Sequence, residues 1–174
     1  MKKSIIFIVS LALVSVMLST FIMAAPYSEE KPQKRNEIFK AMLDNNYLFD
    51  EGFTDDSKII EAAMLSCLGS ASKGRIDKSI IKDFCKNFYD IDINENAYDP
   101  EYLTDDSFLY IPMGYDVPSH TILSVTDEGD IYIVISKMTF ENKASAVIVR
   151  SAFQKNERSS FKYNLLNCEI NFKN

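Results

Sequence analysis

The hydrophobic period of this chain changes once, near residue 106, from helical spacing to a period of two, and that change decides the class of fold. Before it, Ile59, Ile60, Ala63, Met64, Cys67 and Leu68 recur at i, i+4 and i+8. Ile80, Ile81, Phe84, Cys85 and Phe88 make a second apolar face of the same kind, so both stretches read as amphipathic helices, about 54–72 and 78–89. Thr54-Asp55-Asp56-Ser57 offers N-cap oxygens to the first, Asp77 caps the second, and Gly74 sits where a left-handed C-terminal cap belongs. A shorter helix over 35–48 rests on Ile38, Met42 and Leu43.

After the change, residues 119–126, 130–140, 144–154 and 161–172 are rich in Ile, Val, Phe, Tyr and Thr. Short polar breaks separate them: Asp127-Glu128-Gly129-Asp130, Glu141-Asn142-Lys143 and Lys155-Asn156-Glu157-Arg158-Ser159, which is turn chemistry between antiparallel strands. In the last segment Leu166, Cys168, Ile170 and Phe172 alternate with Asn167, Glu169 and Asn171, a pattern for one covered face and one wet face. Residues 108–111 add a short edge strand before Pro112. The expectation is an α+β fold, with N-terminal helices packed on one face of a curved four- to five-stranded antiparallel meander sheet.

The N-terminus carries an address rather than a fold. Lys2 and Lys3 precede an apolar run from Ile5 to Met23, broken only by Ser10, Ser15, Ser19 and Thr20 and ending at Ala24-Ala25-Pro26. Residues 1–25 therefore read as a secretory signal peptide, with an uncleaved membrane anchor as the alternative. Residues 26–36, polar with Pro26 and Pro32, read as a flexible tether, and 37–174 as a single domain. The expected location is secreted or cell-surface, and any membrane contact runs through an uncleaved leader.

Removing the two leader lysines takes the formal charge from −6 to −8. An acidic chain of this kind lacks the basic surface that displaces counterions from nucleic acid or from an anionic membrane. Cys67, Cys85 and Cys168 are an odd count in an exported chain, so at most one internal disulfide forms. Three small buried hydrophobes is the plain reading, and a bridge from Cys168 to a helix cysteine the other.

The sequence offers candidates for metal, catalytic and recognition chemistry. Asp90, Asp92, Asn94, Asn96 and Glu101 occupy positions 1, 3, 5, 7 and 12 of a calcium-type loop spanning 90–101. Glu95 stands where the sharp turn wants Gly, and Pro100 stiffens the approach to Glu101, so a polar connection is the competing reading. No other cofactor is indicated. His120 is the only histidine, and a set of His120, Asp116 and Cys168 can be drawn as a thiol-type catalytic group. No phosphate-binding glycine loop or serine-hydrolase elbow occurs. Phe108, Tyr110, Met113 and Tyr115 cluster around Pro112 and Gly114, and with Tyr132 and Tyr163 they are the candidate ligand-binding residues.

In its order of elements over about residues 55–173 the chain resembles the cystatin-like class, including the nuclear-transport-factor-2-like proteins. Ser159-Ser160-Phe161-Lys162-Tyr163-Asn164-Leu165, with Ile111-Pro112-Met113-Gly114-Tyr115 upstream, is similar to small secreted bacterial proteins. Secreted inhibitors of cell-wall DL-endopeptidases share the order of leader, helices and sheet. The function expected is an exported, non-enzymatic domain that binds an extracellular or envelope protein, or a small ligand, with inhibition of a wall hydrolase as one form. The alternatives are a small extracellular enzyme using His120, Asp116 and Cys168, and a calcium-binding structural or adhesion module.

Overall fold

The computed structural model describes residues 31–100, 108–110, 116–141 and 143–171. The chain forms two units, 1–31 and 32–174. The residues read as a leader, 1–25, lie outside the described residues. Residues 32–36, read as part of a tether, belong to the first helix, which Pro32 opens at a place where its missing N–H costs nothing.

That helix, α1 (Pro32–Asp44), buries Phe39, Met42 and Leu43. The second, α2 (Asp56–Ser66), is capped by Asp55, whose carboxylate accepts from the Ser57 and Lys58 amides. Ile59, Ile60, Ala62, Ala63, Met64 and Leu65 are all buried, so α2 is enclosed on more than the single stripe its spacing suggests. It ends at Ser66 rather than near 72. The third, α3 (Lys78–Tyr89), starts on the Asp77 carboxylate, which accepts from the Ser79 amide at 2.8 Å. Its Ile81, Cys85, Phe88 and Tyr89 are buried and its C-cap, Asp90, is left-handed at φ 57°.

Gly74 does not cap a helix. It follows Lys73 in a two-residue turn, with φ of 55° and 74°, between Ser72 and Arg75, whose backbones exchange hydrogen bonds of 2.9 and 3.0 Å. Positive φ at both central residues is the turn that matches strand twist, and glycine adopts it at little cost. The turn leads into β1 (Arg75–Asp77), which pairs antiparallel with β2 (Phe108–Tyr110). The short strand expected at the edge of the meander therefore belongs to a separate two-stranded sheet.

The main sheet is the expected meander, four strands in the order β3 (Pro118–Asp127), β4 (Ile131–Phe140), β5 (Lys143–Lys155) and β6 (Tyr163–Asn171), all antiparallel. One face is dry. Val134 and Met138 of β4, Val149 and Phe153 of β5, and Leu165 and Cys168 of β6 are at most 1% exposed. The reverse face is half-open, with Ile133 and Ile135 partly exposed and Thr121, Lys137, Arg150 and Gln154 exposed. The fold is α+β, helices first and an open antiparallel sheet after.

The last strand departs from simple alternation. The register shifts between Ala152 and Phe153, so Phe153 faces Leu165 while Ala152 faces Asn167. Leu166 is the extra residue, and at 37% exposure it points away from the core that receives Leu165. A bulge reverses the parity of everything before it, which is why Leu166 and Cys168 do not share the face that their spacing predicts.

Candidate functional site

Helix α1 meets the sheet through one aromatic cluster. The Phe39 ring stacks on Phe153 at 4.5 Å between centroids and meets Tyr163 at 4.8 Å and Tyr132 at 5.5 Å. Tyr132 and Tyr163, candidate ligand contacts from sequence, are 4% and 5% exposed. They fill the helix–sheet contact instead of lining an open pocket. Arg35 lies 4.6 Å and the Lys155 ammonium 5.1 Å from the Tyr132 ring centre, cation–π contacts that hold the ring in place. Phe108 and Tyr110 lie in β2, and their side chains, like Met113 and Tyr115 altogether, are outside the described residues.

The catalytic set does not assemble. His120 is on β3 and Cys168 on β6, with β4 and β5 between them, a separation of roughly 14 Å at ordinary strand spacing. The His120 ring is buried, its Nδ1 is 2.9 Å from the Ser136 hydroxyl, and its Nε2 has no hydrogen-bond partner among the described residues. Burial pushes the imidazole down to about 4, against the attraction of Asp44. The Asp44 carboxylate accepts from the His120 backbone amide at 2.7 Å, so an acid from the end of α1 attends the histidine. The Cys168 thiol faces the Ser151 hydroxyl at 3.3 Å. All three cysteines are buried and unbridged, as small hydrophobes would be.

The expected calcium loop is organised by a cation already in the chain. The Lys86 ammonium is 3.1 Å from Asp90 and 2.9 Å from Asp92, and the two carboxylates hold its proton more tightly than usual. The Asn94 side chain accepts from the Asn96 amide at 3.0 Å, and the Asn94 amide donates to Asp56 at 3.2 Å. These residues satisfy a connection between helix and sheet. Among the described residues no cluster of three His, Cys, Asp or Glu side chains is placed to hold a metal; Glu101 lies outside them.

A polar cleft opens instead where α3 ends against the β5–β6 turn. Its volume is about 460 Å³, and Lys86, Asn87, Asp90, Gln154, Lys155, Asn156, Arg158, Ser159 and Asn164 line it. Its floor is the end of the helix. The Asn87 carbonyl, one of those a helix leaves without an internal partner, accepts from the Ser159 hydroxyl at 2.5 Å and the Asn164 amide at 2.7 Å. The Ser160 amide donates to Asn87 Oδ1 at 3.2 Å, and the Asn156 side chain donates to Asn164 Oδ1 at 2.5 Å. Lys162, left-handed at φ 65°, closes the turn, with its amide donating to the Ser159 carbonyl.

Residues 155–159 read from the sequence as a turn, with Ser159 also opening the phrase shared with small secreted bacterial proteins. The sole local signal for the cleft was the run of Asn, Ser and Arg in that turn. Its counterpart, Asn87, is about seventy positions away, and no periodicity connects the two. No family model, curated protein or solved structure matches the chain.

Proposed function

We propose that this chain is an exported, non-enzymatic binding domain that acts at the cell envelope and takes its ligand in the cleft between α3 and the β5–β6 turn. One observation carries the reading: polar side chains from a helix end, a strand and a turn converge on a cleft of small-ligand size. Asn156, Ser159 and Asn164 are tied to one another or to the Asn87 carbonyl by hydrogen bonds, so that wall of the site is held in shape before any ligand arrives and less ordering entropy is lost on binding. The strand order supports the non-enzymatic part, because the histidine and the thiol that a nucleophilic mechanism would join lie on opposite edges of the sheet. Export rests on the leader and envelope action on the export. Inhibition of a wall hydrolase is one form that such binding would take.

The test is an amide-shift titration of the isotope-labelled protein with soluble cell-envelope fractions. Saturable shifts concentrated at residues 86–90 and 154–164 are expected. Shifts confined to other surfaces, or none with any fraction, would overturn the assignment of this cleft.

A further inference from the structure

The cleft holds three asparagine side chains whose hydrogen-bonding capacity is only partly used. Each of its three asparagine oxygens already accepts a bond: Asn87 from the Ser160 amide, Asn156 from the Arg158 amide at 2.9 Å, and Asn164 from Asn156. Each of the three side-chain NH2 groups has donated once, Asn87 to the Asp83 carbonyl at 2.8 Å, Asn156 to Asn164, and Asn164 to the Asn87 carbonyl. An amide nitrogen carries two hydrogens, so one donor remains on each. Since an amide oxygen has two lone pairs, one donor and one acceptor remain on each asparagine, and charge is what sets the sign of the ligand.

The charges of the lining favour an anion. Lys86, Lys155 and Arg158 line the cleft against one carboxylate, Asp90, in a chain whose overall charge is −6. Lys86 is engaged by Asp90 and Asp92. Lys155 is positioned by its bond to the Gly129 carbonyl at 3.1 Å and by the Tyr132 ring. Arg158, held on the turn by its backbone bond to Asn156, is exposed and makes no ion pair among the described residues. A guanidinium offers paired donors that match two oxygens of a carboxylate or phosphate.

Resting on the cleft assignment above, we infer that the ligand is recognised through an oxyanion, a carboxylate or phosphate group, with Arg158 as its anchor and the spare asparagine donors and Lys155 completing the site. An anion matches the excess of cationic side chains over Asp90, and its oxygens can take the spare asparagine donors. A cation does not.

The test titrates the labelled protein with inorganic phosphate, acetate and glucose in parallel, at about 50 mM and about 500 mM salt, and repeats it with Arg158→Gln. Saturable shifts at residues 86–90 and 154–164 with either anion, weaker at the higher salt and about fivefold to tenfold weaker in the variant, are expected. Which of the two anions binds tighter tells phosphate from carboxylate. An unchanged thermal midpoint in the variant excludes misfolding, and Arg158→Lys recovers part of the loss. Saturable shifts there with glucose but with neither anion would overturn the oxyanion while leaving the cleft as a binding site. Silence of the cleft toward all three probes would overturn the oxyanion inference too, and the envelope-fraction titration then decides the fate of the cleft itself.

Discussion

The Tyr89 hydroxyl, at the buried end of α3, donates to the Asn46 side-chain oxygen at 2.9 Å across 43 positions of sequence. Asn46 is fully buried, and it also accepts from the Leu48 amide at 3.2 Å and donates to the Leu48 carbonyl at 2.6 Å. One amide therefore ties the chain leaving α1 to the end of α3.

The two partners are not equivalent. Tyr89→Phe removes one donor and leaves the Asn46 oxygen with the Leu48 amide, so the expected loss is about 1 kcal/mol. Asn46→Ala strands the phenol and two backbone groups in the core, with an expected loss of about 3 kcal/mol. Denaturant unfolding of both variants checks the order. Equal losses would contradict this account.

Phe39 is the joint between α1 and the sheet, since its ring touches Phe153, Tyr163 and Tyr132 together. Phe39→Ala is expected to cost about 3 to 5 kcal/mol. Ile38→Ala, at a half-buried neighbour on the same helix, should cost much less. Thermal unfolding of the pair measures the difference, and similar midpoints would show that the cluster does not anchor the helix.

His120 makes stability depend on pH. The unfolded imidazole takes its proton near 6.5 and the folded one only near 4, so between those values the unfolded chain binds more protons. The stabilisation is fully present above about pH 6.5 and is lost as pH falls toward 4, by up to roughly 3 kcal/mol. His120→Gln should flatten the curve between pH 6.5 and 5, above the range where most carboxylates titrate. Parallel curves for the two proteins would refute the assignment.

The thiols should be silent in the folded chain. Burial pushes Cys67 up to about 11 and Cys85 to about 12, and Cys168 is fully enclosed; the thiolate is the reactive form. A disulfide reagent at mildly alkaline pH is expected to find no fast-reacting thiol natively, and all three in denaturant. A fast native reaction at any one of them would mark an accessible thiol and contradict the enclosed core.

The class of fold was legible because it is written in local spacing. The faces of α2 and α3, the Asp55 and Asp77 caps and the polar breaks between strands are all decided within a few residues, where side-chain period and backbone hydrogen bonding act directly. The Asp127 turn is an example: its carboxylate accepts from the Gly129 amide at 2.9 Å, with Gly129 at φ 90°, as that run of residues implies.

Only the tertiary structure decided the rest, since it depends on groups that meet after the chain has travelled far. Spacing cannot reveal that β2 leaves the meander for β1, or that a bulge turns Leu166 outward. Nor can it say that Phe39 closes over two tyrosines that composition offers to a ligand. The cleft is the clearest instance. Its shape comes from the Asn87 carbonyl at the end of α3 finding donors on Ser159 and Asn164, more than seventy positions away in the sequence.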